Sequence, residues 1–424
     1  MFRKLNPKLV FYILGGTGSL AGGMLVVLTV YYVTSAHLDP LQLVLVGTVL
    51  EAVYLLCEVP TGVVADSYSR RLSVIIGIFI VGAAWILEGS LPFFAAILLA
   101  EAVRAVGEAF LSGATQAWLA DEVGEEQVGP ILVRSGQVNR LLGILGTVLG
   151  VGLGIWRISL PILLAGGMGL LLGLFLVLFM SENGFKPAPV DGKNAWQNLA
   201  ATFRQGAGLV RRSQVLIAIL LISATLGLSS EGFDRLSEAH FLIDLGFPEL
   251  GNLQPVAWFG IISIAADLIG VMIVQVSRRR LERLSLDVRR MTGWLMALSL
   301  CLLAAGIAFA LAGSFTLALL AIFARSALAA LYFPLYDAWQ IRHIRPEVRA
   351  TVLSLTGQMN AIGQVAGGPL VGVVGKLASI PAALVFSGLL YAPTPLLYRW
   401  IRRREESGSE EVEILQPAVE VAAD

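Results

Sequence analysis

Apolar stretches long enough to cross a lipid bilayer recur twelve times along this chain, at about 9–34, 41–65, 72–93, 94–119, 137–156, 160–181, 214–236, 252–277, 291–312, 315–340, 350–375 and 379–399. At 1.5 Å per helical residue, roughly 20 residues span a hydrocarbon core about 30 Å thick. Inside lipid every backbone N–H and C=O needs an internal partner, so such segments fold as helices. The spacing therefore predicts an all-α polytopic membrane protein. Connections as short as Ala36–Pro40 and Ile158–Pro161 force neighbouring helices to run antiparallel. With 56% hydrophobic and only 14% charged residues, and a mean hydropathy of +0.78, the chain has too little polar surface for a soluble globule of 424 residues. Arg3, Lys4 and Lys8 precede a 26-residue uncharged run, Leu9–Thr34, which is too long for a signal-peptide core and reads as the first transmembrane helix.

Charge distribution sets the expected orientation. With the N-terminus inside, 25 of the 30 lysines and arginines fall at cytoplasmic ends or loops, as the positive-inside rule requires. Both termini are expected in the cytoplasm of a cell with the chain in its cytoplasmic (inner) membrane. The net charge of zero gives no reason to expect a nucleic-acid partner.

The chain is also a repeat. Residues 100–154 align without a gap on 321–375 at an offset of 221, with thirteen of 55 positions identical. Arg104 falls on Arg325, Trp118 on Trp339, and Gly136-Gln137-x-Asn139 on Gly357-Gln358-x-Asn360. Two related halves, each with an arginine in the middle of an apolar span, point to transport, because internal repeats with a site at the membrane midplane are the general logic of secondary carriers. The expected domains are 1–181, a cytoplasmic linker at 182–213 with an amphipathic helix at Ala195–Arg212, 214–402, and a disordered acidic tail at 403–424.

A charge near mid-bilayer costs about 2.5–3.5 kcal/mol on insertion scales, so each one needs a polar cavity or a partner. In span four, Glu101, Arg104 and Glu108 share one helix face and are expected to pair along it. Arg325 lies at matching depth, but Ile322 and Ala329 replace the two acids, so a cavity role or a partner on another helix is expected. Other acids expected to be buried are Glu51 and Glu58 in span two, Glu231 beside Asp234 and Arg235 in span seven, and Asp267 in span eight. A proton-coupled carrier needs at least one carboxylate that gains and loses a proton as its surroundings change. Glu108 fits that role best, then Glu231 or Asp267; Glu58, close to the cytoplasmic end, is expected to be structural.

Between spans two and three stands Gly62-Val-Val-Ala-Asp66-Ser-Tyr-Ser69-Arg70-Arg71. This resembles the cytoplasmic loop signature of the major facilitator superfamily, with Ser69 where that family carries Gly. The preceding Glu58-Val-Pro-Thr-Gly62 resembles the proton-coupled drug exporters related to tetracycline and macrolide carriers. The resemblance implies two pseudo-symmetric six-helix bundles around a central cavity lined by helices one, four, seven and ten. Chemically, Gly62 admits close approach of a neighbour, Asp66 suits a helix N-terminus, and Arg70 and Arg71 can pair with Asp121 or Glu122. These six residues are expected to form a conformational latch. The second half keeps Gly270 and Arg278-Arg279 but has Val274 in place of Asp66.

Span five carries Gly143, Gly146, Gly150, Gly152 and Gly154, which favour close helix contact. The Gly-Pro pair of antiporters in the family is met instead by Gly368-Pro369 in span eleven. Cys57 and Cys301 lie singly in apolar runs, and His37, His240 and His343 share no metal spacing, so no metal or cofactor is expected. No phosphate-binding lysine loop is present, and no nucleophile–base constellation suggests an enzyme. The expectation is a monomeric, proton-driven exporter of a hydrophobic or amphipathic small molecule. The alternatives are a carrier of a sugar, amino acid or lysolipid, and a non-transporting membrane sensor.

Overall fold

The computed structural model describes residues 4–187, 213–249, 253–284, 287–344 and 346–406. The expected amphipathic helix at 195–212 and the residues from 407 onward lie outside these.

The described chain is helical throughout, with no strand. In order it runs α1 (Pro7–Met24) and α2 (Leu28–Thr34), joined by one 3-10 turn; α3 (Pro40–Ser67); α4 (Arg70–Ser90); α5 (Phe94–Leu111) and α6 (Ala114–Val123); α7 (Glu125–Trp156); and α8 (Leu160–Phe179). The second repeat follows as α9 (Gln214–Ala239), which runs into a π-helical turn; α10 (Pro255–Leu284); α11 (Val288–Ala310); α12 (Phe315–His343); α13 (Arg349–Leu377); α14 (Ile380–Tyr391) and α15 (Pro393–Glu406).

Among the described residues, ten helices are long and apolar enough to cross a membrane. The other two expected spans are helical too but more polar. Span four carries three charges and breaks at Ser112-Gly113, where Gly113 takes φ +69°, a conformation that costs glycine nothing. Span eleven, α13, is diluted by Gln358, Asn360 and Gln364. The last span breaks at Ala392, since the residue before a proline disfavours helix and Pro393 has no N–H to give. Its second piece runs through Glu406, past the expected start of the tail at 403.

Helix starts follow local chemistry. Asp39 and Gln42 form a reciprocal capping box ahead of Pro40. Ser314 caps α12 through the Leu317 amide and Asp287 caps α11 through the Arg290 amide.

Within each repeat the first and fifth spans meet along a glycine seam. A Cβ on Gly146 would run into the Leu20 carbonyl oxygen, and one on Gly150 would meet the Met24 carbonyl at 2.6 Å. In the second repeat Gly363 and Gly367 press in the same way on the carbonyls of Ala224 and Leu228. Each repeat also buries a tryptophan at the matching position, Trp118 in a core with Leu119, Ile131 and Leu176, and Trp339 in one with Leu295, Tyr332 and Tyr398.

The compact units do not follow the sequence repeats. The first comprises Met1–Ala200, Asp234–Ala265 and Gly368–Ile380; the second comprises Ala201–Phe233, Ala266–Gly367 and Pro381–Asp424. Segments of α9, α10 and α13 therefore pack within the first unit. Small residues explain this: Gly368 lies against Thr48, Gly372 against Leu41 and Gly260 against Val151. Lys376 Nζ also reaches Asp39 Oδ2 at 3.0 Å. Burial works against the Asp39 charge, but hydrogen bonds from the Gln42 amide and Lys376 outweigh it and hold that carboxyl below its ordinary range.

Candidate functional site

The charged face of α5 forms as its spacing demands. Arg104 Nε donates to Glu101 Oε1 at 3.2 Å and Nη2 to Oε2 at 2.5 Å, while Nη1 donates to Glu108 Oε1. Its guanidinium lies 4.8 Å above the centre of the Trp85 ring, presented by α4. The three side chains grade from dry to wet: Glu101 is 1% exposed, Arg104 12% and Glu108 37%.

Glu108 borders a cavity of about 470 Å³. Phe11 and Leu14 from α1, Tyr54 from α3 and Gln116 from α6 supply much of the rest of its wall. The break at Ser112-Gly113 also lines it, and the Tyr54 hydroxyl donates to Ser112 Oγ at 2.8 Å. An apolar lining with a few directed polar groups and one carboxylate suits an amphipathic guest. Glu51, half-buried on α3, stands within electrostatic reach of Arg235, Glu108, Arg104 and Asp234. The first unit thus gathers Glu51, Glu101, Arg104 and Glu108 around one region.

Other expected residues fall elsewhere. Asp267 is exposed on α10 rather than buried. Glu231 is buried at 1% exposure in the second unit. Glu58 is half-buried. Arg325 lies 4.4 Å above the Phe233 ring, with Tyr391 in electrostatic reach.

Around the loop, Arg70 Nη1 bonds Asp121 Oδ2 at 2.6 Å and the Ala117 carbonyl at 3.1 Å, with Asp66 at 3.5 Å from Nη2. Three expectations need correction. Asp66 closes α3 instead of heading a helix; Ser69 is the cap of α4, accepting the Leu72 amide at 2.9 Å. Capping accounts for serine at a position where glycine would do less. A Cβ on Gly62 would meet open space, so no described neighbour approaches it closely in this conformation. Arg71 and Glu122 do not pair with each other. Arg71 Nη2 donates to the Val177 carbonyl at 2.7 Å, and its amide to Glu182 Oε1 at 2.9 Å.

Glu122 instead accepts from Ser181 Oγ at 2.5 Å, the Gly184 amide at 2.8 Å and the Asn183 amide. The cause lies in Trp118, whose indole N–H donates to the Ser181 carbonyl at 2.7 Å and draws that segment onto α6. Its amides then need an acceptor, and Glu122 is within reach.

Sequence reasoning missed Glu88, Trp85, Tyr32, Glu182 and Phe233. Glu88 was findable: it is an acid inside the stretch 72–93, and the rule that flagged Glu101 applies to it equally. The aromatic partners carry no sequence signal, since Trp and Phe are ordinary residues of apolar helices.

Comparison with known proteins gives a consistent picture. The family model described as Major Facilitator Superfamily matches residues 11–288. The uncharacterised MFS-type transporter YxaM of Bacillus subtilis (strain 168) is 23% identical over 400 residues, 92% of this chain and 94% of that protein. Among solved structures, a point mutant of the nucleoside transporter NupG superposes with a TM-score of 0.73 at 15% identity, covering 94% of this chain and 99% of that one. A bacterial homologue of the human lysosomal transporter Spinster, inward-facing and unoccupied, gives 0.71 at 15% identity over 94% and 96%. A POT family transporter bound to a thioalcohol-conjugated peptide gives 0.70 at 15% identity over 94% and 96%. At these identities the structural likeness concerns the fold.

Proposed function

The chain belongs to the Major Facilitator Superfamily and is a multi-pass membrane transporter rather than an enzyme, and from that premise we propose that it exports a hydrophobic or amphipathic small molecule in exchange for protons. The observation that carries this reading is the continuity of charge from the buried Glu101 through Arg104 to Glu108 at the wall of an apolar cavity. Glu108 meets cavity water and exchanges a proton there; a guest entering the same cavity competes for Arg104 and Glu108. Neutralising Glu108 frees Arg104 to hold Glu101 alone, and that rearrangement favours a different packing of α5 against α3 and α4. The loop pairs of Arg70 with Asp121 and Asp66 act as a latch holding one state. The protein works as a monomer in the cytoplasmic membrane with both termini inside.

The test is reconstitution of the purified chain in liposomes with ethidium and other hydrophobic cations as probes. An imposed pH gradient drives probe flux in the wild type, and Glu108→Gln removes the dependence on the gradient while the protein still inserts. A wild type that moves no probe under the gradient overturns the reading.

A further inference from the structure

Glu88 sits two residues before the end of α4, next to the short turn into α5, and its side chain is fully buried at 0% exposure. Oε1 accepts from the Tyr32 hydroxyl of α2 at 2.5 Å, and the neighbouring Tyr31 hydroxyl donates to the Glu88 carbonyl at 2.6 Å. Oε2 is buried, and no donor among the described residues reaches it. The Glu101 carboxyl of α5 lies within hydrogen-bonding and electrostatic reach of this carboxyl. Both Glu101 oxygens are already taken by Arg104.

An ionised carboxylate has no hydrogen to give, so two of them cannot bond each other. With one proton between them they can, and the unmet oxygen becomes a donor. Charge counting agrees. Among the described residues, Glu88, Glu101 and Glu108 share one close cation, Arg104; the other nearby cation is Arg235, which acts on this cluster from the Tyr32 side. Two neighbouring carboxyls buried in a dry site do not both ionise.

We propose that Glu88 is a proton-binding residue of this protein, holding a proton on Oε2 that it shares with Glu101. This deepens the proton-exchange reading above and, for its role in coupling, rests on it. The transfer is simple to balance. The proton passes from Glu88 Oε2 to the Glu101 carboxylate; Glu88 is left ionised and accepting from Tyr32, and the total charge is unchanged. Neutral Glu101 loses its ionic attraction for Arg104 and keeps only a weaker acceptor, and the guanidinium, which also grips Glu108, turns toward the cavity. Glu88 is thus the dry end of a charge chain whose wet end is Glu108.

Infrared difference spectroscopy of the full chain in lipid reads this directly, with the proton itself as the ligand. The wild type at neutral pH shows a protonated-carboxyl C=O band that is lost in Glu88→Gln and kept in Glu108→Gln. Tyr32→Phe, which retains the ring and removes only the donor to Oε1, shifts that band to higher frequency; this variant serves if Glu88→Gln fails to fold. A band unchanged in Glu88→Gln, or unmoved in Tyr32→Phe, overturns the assignment while leaving the transport reading standing. Conversely, the band present with no pH-driven probe flux removes the coupling role and the exporter reading but not the buried acid.

Discussion

Arg104 and Arg325 occupy equivalent positions in the two repeats, and both guanidinium groups stack on an aromatic ring, Trp85 at 4.8 Å and Phe233 at 4.4 Å. One helical turn to either side the likeness ends: Arg104 lies between Glu101 and Glu108, Arg325 between Ile322 and Ala329. The buried tryptophans diverge in the same manner. Trp118 donates to the Ser181 carbonyl and Trp339 to Thr292 Oγ1 at 2.8 Å. Four residues on, Glu122 accepts the Gly184 amide, whereas His343 approaches Glu405 at 3.3 Å, the same pair of positions displaced by 221 in both halves. Duplication kept the packing frame, since a lost core tryptophan costs several kcal/mol. The charges beside the arginine were free to change, and the carboxylates flanking it stand in the first repeat alone.

That contrast can be broken experimentally. The largest effect is expected from Arg104→Met, which strands Glu101 as a buried charge without its cation and lowers stability by about 3–5 kcal/mol. Adding Glu101→Gln to that variant recovers most of the loss. Thermal unfolding in detergent compares them, and equal values for the single and double variants would show that the carboxylates do not distinguish this site.

Next come the glycine seams. Gly146→Leu and Gly367→Leu each drive a side chain into a carbonyl of the partner helix, with an expected cost of about 1–3 kcal/mol. Gly152→Ala, where a Cβ meets nothing within 4 Å, is expected to be near neutral. Similar losses at 146 and 367 support a shared frame, and a loss at only one of them breaks it.

Trp118→Phe and Trp339→Phe each forfeit one buried indole hydrogen bond, about 1 kcal/mol by equilibrium unfolding. The smallest effect belongs to Asp39 and Lys376, both partly exposed, where Lys376→Met costs under about 1 kcal/mol. The Asp39 carboxyl is held below its ordinary range, so the pair stabilises the fold above about pH 4 and the contribution fades as pH falls through the lower folded value. Hydrogen exchange over 368–377 should therefore differ between wild type and variant at neutral pH and converge in acid.

Much of the fold was legible because it is local. Hydropathy and span length located the helices, and the spacing of Glu101, Arg104 and Glu108 put them on one face before any contact was known. Boundaries were less legible where a backbone break is invisible to hydropathy: Gly113 splits span four, and Pro393 splits span twelve. Arg70 with Asp121 was readable as a charge match across a helix pair, but Arg71 with Glu182 was not, since it depends on where Trp118 pulls the end of α8.

By itself the sequence determined where the membrane-length helices would form, that the chain is a repeat, and which of its two intramembrane arginines has acids beside it. All three follow from composition and helical periodicity, which are properties of residues close together in the chain. Tertiary structure alone decided that the Glu88 carboxyl comes within reach of Glu101, that Trp85 and Phe233 lie under the two arginines, and that parts of α9, α10 and α13 pack with the first unit. Those outcomes depend on how closely helix backbones can approach, which is set where glycines from distant segments meet, and no local pattern encodes that distance.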